Sequence, residues 1–212
     1  MKKNKGLKIK NTIKEHILNN RKPYFIMSLL FIIGIFLGVL FINNIQEAQK
    51  VEINSYFSNF IENLKNTESL NQKELLNTSL KQNILLAVTI WFFGTTVIGL
   101  PIVFGLVLYR GFCLGYTIAV CIYVLGLSKG LGFIGITLIL PNILFIPALL
   151  GISVSGFKLY KSIIKDKRKE NIKLEIIRHT IFCIIMVVLL AISSLTDILI
   201  ATNILKNVIS FF

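Results

Sequence analysis

The side chains able to carry out covalent or metal chemistry are few, and their spacing does not group them into a set. Cys113, Cys121 and Cys183 fall in apolar stretches, with no CxxC pair and no histidine at ligand spacing. His16 and His179 stand in basic segments, and we predict that both are solvated rather than catalytic. This pattern excludes a disulfide framework and a zinc site. We therefore predict no catalytic residues, no metal, no cofactor and no enzymatic activity.

Two further features resemble functional motifs but have simpler explanations. Asp197 is the only acid inside a predicted membrane span, and because it comes about 18 residues into that span we expect it near the outer interface. The glycines Gly130, Gly132 and Gly135 match the GxGxxG dinucleotide fingerprint. That fingerprint requires a preceding strand, a following amphipathic helix and an acid about 20 residues later. We predict a tight turn followed by close helix packing instead.

The elements that hold these residues are indicated by composition. The 212 residues are 54% hydrophobic and only 16% charged, and the apolar residues form blocks of about 20, long enough to cross a bilayer. We predict an all-α, polytopic integral membrane protein with five transmembrane helices, at 23–42, 83–109, 112–127, 131–157 and 180–201. The fourth span is expected to be kinked or broken at Pro141 and Pro147.

The charge distribution predicts the orientation. Basic segments at 1–22 and 158–179 flank the spans, and the basic residues there together with Arg110 make 17 of the 23 lysines and arginines. The positive-inside rule then gives a cytoplasmic N-terminus and an outer C-terminus, with 202–212 as an outer amphipathic tail. The net charge of +13 is thereby explained by topology and contact with membrane lipid, and no nucleic-acid partner is expected.

The longest polar stretch, 43–82, is predicted to lie outside the membrane as an amphipathic helical segment. Its apolar residues recur at three- and four-residue steps, which places them on one face of a helix. They are Ile53, Phe57, Phe60, Ile61 and Leu64. Such a face must cover the membrane surface, the protein's own bundle, a second copy of the chain or a partner, and we treat it as the candidate partner or dimer surface.

Small and polar residues inside the spans predict close helix packing. Gly111 and Gly115 form a small-xxx-small pair that allows a neighbouring backbone to approach. Pro141 and Asn142 must face protein or water, as an interhelical clamp or, alternatively, as part of a substrate or ion path. The remaining residues assigned to structural packing are Gly99, Pro101, Arg110 and Pro147.

The order and spacing of these residues resemble the stage II sporulation protein M family over nearly the whole chain. The stretches that carry the resemblance are Gly99-Leu100-Pro101, Arg110-Gly111-Phe112 with Gly115-Tyr116-Thr117, Leu140-Pro141-Asn142, Ile146-Pro147-Ala148 and Ser193-Ser194-Leu195.

The resemblance implies a multi-pass membrane protein of endospore formation, located at the septal and engulfing membrane. There it would anchor two peptidoglycan hydrolases, which resemble the stage II sporulation proteins P and D, during forespore engulfment. A membrane-transport or ABC-permease-like component, with a pathway or switch around the fourth span, is the alternative. A polar cavity around Asn142 would favour the alternative, and close packing there would count against it.

Overall fold

The computed structural model describes residues 18, 20–66, 72–96, 98–165 and 172–200, and these are almost entirely helical. The predicted tail at 202–212, His16 and nearly all of the predicted basic tail lie outside the described residues. In chain order the helices are α1 Arg21–Asn43, α2 Glu47–Asn66, α3 Gln72–Gly94, α4 Leu100–Leu125, α5 Leu127–Ile134, α6 Leu140–Lys165 and α7 Ile172–Leu199, with a π-helical segment at Gly135–Ile139 between α5 and α6.

Four stretches of the described chain are long and apolar enough to cross a membrane. They are α1, α4, the run Leu127–Ile164 that joins α5 to α6, and α7. The protein is therefore an all-helical, multi-pass membrane protein. The helix at the place of the predicted second span, α3, does not meet this criterion, because its first half is polar and includes Lys81, Gln82 and Asn83 in succession.

The predicted boundary between the second and third spans was wrong. We placed it at Arg110 and Gly111, but α4 runs without interruption from Leu100 to Leu125 through both residues. The helices instead separate at residues 95–99, where Gly99 precedes α4 and Pro101 lies in its first turn. Proline is favoured there because the first N–H groups of a helix need no partner within it.

The fourth span is a bulged helix, and it does not break. A π-helical segment at Gly135–Ile139 leads directly into α6, and Pro147 lies inside α6 without ending it. The wider π turn precedes Pro141, whose ring nitrogen cannot donate to the helix ladder. The predicted tight turn at Gly130–Gly135 was also wrong, since Gly130 lies within α5 and the chain turns at Gly126, which has φ of 79°.

The closest helix pair is α1 with α4, and the two run in parallel. A β-carbon at Gly34 would meet the backbone of Leu108 and Phe112, and one at Gly115 would meet the backbone of Ile35. Gly38 and Gly111 are equally enclosed by the facing helix. Two small-xxx-small pairs therefore face each other, which lets the backbones touch.

Side chains from α1, α3, α4, α6 and α7 form the main buried cluster of the bundle. Its members include Met27, Ile90, Val103, Ile152 and Leu190. The amphipathic α2 packs across the end of α1 and against α4, outside this cluster.

Candidate functional site

Arg110 lies close to the middle of the membrane-spanning bundle. Its neighbours Leu108, Gly111 and Phe112 pack against Gly34, which is two residues from the midpoint of the 23-residue α1. At 1.5 Å per residue, this places the Arg110 backbone roughly 3–5 Å from the centre of that span. The prediction that Arg110 ends a span at the cytoplasmic face was wrong. Arg110 therefore does not count among the basic residues of the cytoplasmic side.

The guanidinium of Arg110 is held by residues from two other helices. Its Nη2 donates to Oδ1 of Asn83 on α3 at 3.4 Å. Its Cζ lies 4.9 Å from the ring centroid of Phe145 on α6, a cation–π arrangement. The carboxylate of Asp197 on α7 is the opposite charge in the same region, and no ion pair within 4.0 Å joins it to Arg110. A cation in the membrane interior needs such partners because lipid offers it none.

The same partners bind each other. The buried Asn83 donates from Nδ2 to Oγ of Ser194 on α7 at 2.8 Å. Ser79 donates from Oγ to Oδ2 of Asp197 at 3.4 Å. We call these five residues, Ser79, Asn83, Arg110, Ser194 and Asp197, the Arg110 network. It joins α3, α4 and α7, with Arg110 near the middle of the bundle and Asp197 two residues before the end of α7.

Asp197 lies two residues before the end of α7, and the expectation that it lies near the outer interface stays a prediction. It is half-buried on the inward face of α7 and belongs to the Arg110 network. The signal was present in the sequence, because Leu190, Ser194 and Asp197 follow each other at steps of four and three on one face of a helix.

Pro141 and Asn142 are used in packing. The carbonyl of the buried Pro141 accepts a hydrogen bond from Oγ of Ser193 at 3.1 Å, which joins α6 to α7. Asn142 donates from Nδ2 to the carbonyl of Leu138 at 2.7 Å, within the bulged span itself. The Pro141 bond thus joins two helices, whereas the Asn142 amide hydrogen bonds one turn back along its own helix.

His179 is buried, so the prediction that it is solvated was wrong. It is 2% exposed. Its Nδ1 lies 2.8 Å from Oγ of Ser155 on α6, and Sγ of Cys183 lies 3.7 Å from its Nε2. The close approach of Gly94 and Gly156 brings α3 and α6 together beside the ring.

A serine hydroxyl beside an imidazole is the arrangement of a nucleophile and its base, and we had predicted no such pair. The side chains of Ser155, His179 and Cys183 are all buried, however, which leaves a substrate no access to the hydroxyl. The pair instead satisfies polar groups at a three-helix junction. Nearby, Nε1 of Trp91 donates to Oγ1 of Thr180 at 3.1 Å and joins α3 to α7 at a third point.

The predicted apolar face of α2 packs, where it is described, on the protein's own bundle. Ile53 and Phe57 contact the cluster of Ile42, Ala119 and Val120. The Phe57 ring also lies 6.2 Å from that of Phe133 on α5. The side chains of Phe60, Ile61 and Leu64 lie outside the described residues. The part of the face formed by Ile53 and Phe57 is therefore covered by the protein's own bundle, rather than by the membrane surface, a second copy or a partner.

A groove of about 450 Å³ remains between α2, the end of α1 and α4. Phe41, Tyr56 and Tyr116 line it together with the polar Gln49 and Glu52. Mixed aromatic and polar residues are typical of the membrane–water boundary. The groove has the composition expected of a helix at that boundary.

A comparison with models of protein families matches residues 27–201 to the family described as Stage II sporulation protein M. The matched range includes all of the Arg110 network and both glycine pairs of the α1–α4 crossing. Searches of the curated proteins and of the solved structures give no match.

Proposed function

Because the chain belongs to the stage II sporulation protein M family, we propose that it is a non-enzymatic membrane scaffold of endospore formation. In this role it holds peptidoglycan hydrolases resembling stage II sporulation proteins P and D at the septal and engulfing membrane. The family match over most of the chain is the observation that carries the proposal.

The packing of the bundle supports a scaffold. The Arg110 network joins α3 to α7, which are distant in sequence, and the Pro141–Ser193 and Ser155–His179 contacts join the consecutive helices α6 and α7. Polar contacts of this kind fix one arrangement of membrane helices, since lipid tails provide no hydrophobic force between them. A bundle fixed in this way holds α2 in a defined position, as a platform for partners requires.

We further propose five spans, with the N-terminus inside and the C-terminus outside. The parallel packing of α1 and α4 supports this, since residue numbers rise together along the two helices: Gly34 lies at Gly111 and Gly38 at Gly115. Two spans that run in the same direction begin on the same side of the membrane. The chain that connects the end of one to the start of the other must therefore cross back through the membrane. The helix available is α3, whose 21 residue steps from Lys73 to Gly94 cover roughly 30 Å.

The experiment is recovery of partners from sporulating cells. A tagged chain is crosslinked in intact membranes, solubilised and isolated, and bound proteins are identified by mass spectrometry. We expect both hydrolases to be enriched relative to an equally abundant, identically tagged multi-pass protein of the same membrane. Equal recovery with the control protein, while the tagged chain supports sporulation, would contradict the proposal.

A further inference from the structure

The half of α3 nearer α2 carries a polar stripe on its outer surface. Asn77, Thr78, Lys81 and Gln82 are exposed, and their spacing of one, three and one residues keeps them on one face of the helix. We call these four residues the α3 stripe. The next exposed residues on that face, Leu85, Val88 and Phe92, are apolar and suit contact with lipid.

The α3 stripe lies at membrane depth. Asn83 is bonded to Arg110 near the centre of the bundle, and α3 runs antiparallel to α7, with Ser79 at Asp197 and Trp91 at Thr180. At 1.5 Å per residue, Lys81 and Gln82 lie within roughly 3 Å of the level of Asn83, and Asn77 about 9 Å from it. All are inside a hydrocarbon half-thickness of about 15 Å.

Lipid is an unsuitable cover for such a surface. Amide and ammonium groups facing hydrocarbon lose the hydrogen bonds of water and gain none, so polar residues inside a membrane face protein or water. A cleft of about 580 Å³ adjoins the stripe, and its lining includes Lys73, Leu76, Asn77 and Leu80. This half of α3 thus presents both the polar groups and the space that a neighbouring helix requires.

A second copy of the chain is a poor occupant. A closed dimer in a membrane has its two-fold axis along the membrane normal, so the same residues meet at the same depth. Lys81 would then face Lys81 where the dielectric constant is low and like charges repel strongly. A partner with a carboxylate or amide oxygen at that depth would satisfy Lys81 and the neighbouring amides instead.

We propose that the α3 stripe is a docking surface for a transmembrane helix of a different protein, one that bears an acidic or amide side chain in its half nearer α2. This deepens the proposed scaffold function and rests on it. It also moves the expected contact from the apolar face of α2 to the exposed face of α3.

The first test replaces polar residues of the stripe by apolar ones. Lys81→Leu with Gln82→Leu makes α3 more apolar, so insertion is not impaired, and the bundle keeps its contacts because both side chains point outward. We expect recovery of the hydrolases to fall at least about tenfold, the factor that corresponds to 1.4 kcal/mol. Leu85→Val with Val88→Leu, on the lipid-facing half of the same face, is the matched control. Undiminished recovery with the stripe variant would overturn the inference and leave the scaffold proposal standing.

The second test identifies what lies against the stripe. A photo-crosslinking residue at position 82 of the full chain is activated in sporulating cells. A crosslink to a protein with an acid or amide in its span, lost when that residue is changed to Ala, supports the inference, even if no hydrolase is recovered with the wild-type chain. Crosslinks to lipid alone, or to a second copy of the chain, overturn it. So does labelling of Gln82→Cys by a membrane-impermeant thiol reagent, which would indicate a water-filled recess.

Discussion

Arg110 and Asp197 show how single residues in the membrane depend on each other. Arg110 has a long hydrogen bond to Asn83 and an aromatic ring beside it, and Asp197 has a long hydrogen bond to Ser79. These contacts are weak by themselves, so we expect a longer-range attraction between the two charges to contribute to stability. When one of the two charges is removed, the other keeps too few favourable interactions to offset the cost of placing a charge in the membrane.

We therefore expect Arg110→Met to lower the free energy of unfolding by about 1–3 kcal/mol. This is less than the roughly 3–5 kcal/mol typical of a fully buried pair, because both side chains are only half-buried. Asp197→Asn should cost a similar amount, and the double variant should cost less than the sum of the two by roughly 1 kcal/mol. Thermal unfolding in one detergent measures all three, with the exposed Lys161→Met as control. Strict additivity would mean that the two charges do not stabilise each other.

At the same scale, His179 indicates where reading the sequence failed. Its basic neighbours suggested a solvated side chain, but the buried face of α7 runs through His179, Cys183, Met186 and Leu190. The helical period therefore indicates burial, whereas the charges of the neighbouring residues indicate exposure. The serine partner of His179 was not predictable, because Ser155 lies on another helix and only tertiary packing brings the two together.

At the scale of the elements, the α1–α4 crossing depends on the absence of four side chains. Gly111 and Gly115 were recognised from the sequence as a packing signal, whereas their partners Gly34 and Gly38 were not. Small-xxx-small pairs indicate that a backbone approaches, but the partner helix is set by the fold. Helices and apolar blocks were predictable from composition and length, while the boundary at Arg110 was not. A charge that usually ends a span was held inside one by residues from two other helices.

The matched pair Gly111→Ala and Gly105→Ala tests this crossing. A β-carbon at position 111 meets the backbone of Phe31, whereas nothing lies within 4 Å of one at position 105 on the same helix. We expect Gly111→Ala to cost about 1–3 kcal/mol through overpacking, and Gly105→Ala to be neutral or stabilising by up to about 1 kcal/mol. The midpoint temperatures of thermal unfolding of the two variants test this expectation, and we expect the lower midpoint for Gly111→Ala. Equal midpoints for the two variants would show that α1 and α4 do not touch at Gly111.

The position of α2 is a second property of an element. Phe57 packs on α4 and α5, whereas the adjacent Tyr56 is 79% exposed. We expect Phe57→Ser to release α2, so that its amide hydrogens exchange at least about tenfold faster while those of α1 and α4 keep their protection. Tyr56→Ser should leave exchange unchanged. Loss of protection throughout the bundle with Phe57→Ser would indicate instead that α2 is part of the folding core.

At the scale of the whole molecule, topology follows from combining composition with packing. Composition identifies four spans and leaves α3 undecided, since only its second half is apolar. Packing adds that α1 and α4 are parallel neighbours, which a single sequence does not reveal. The polar residues of α3 that lower its hydropathy are in part the residues that bind Arg110 and Asp197, so the same side chains keep α3 below the hydropathy of a span and attach it to the bundle.

This topology predicts opposite locations for the two ends of α4. In a variant with Cys113, Cys121 and Cys183 changed to Ala, Ile98→Cys and Ser128→Cys each place one exposed thiol just beyond an end of that helix. If α3 crosses the membrane and the N-terminus is inside, a membrane-impermeant thiol reagent labels Ser128→Cys in intact cells, and Ile98→Cys only after permeabilisation. If α3 stays on the outer surface, α4 enters from outside and the two results exchange. The same exchange follows if α3 crosses and the N-terminus is outside. Exchanged labelling would therefore refute either the cytoplasmic N-terminus or the parallel α1–α4 crossing, and in both cases the proposed topology.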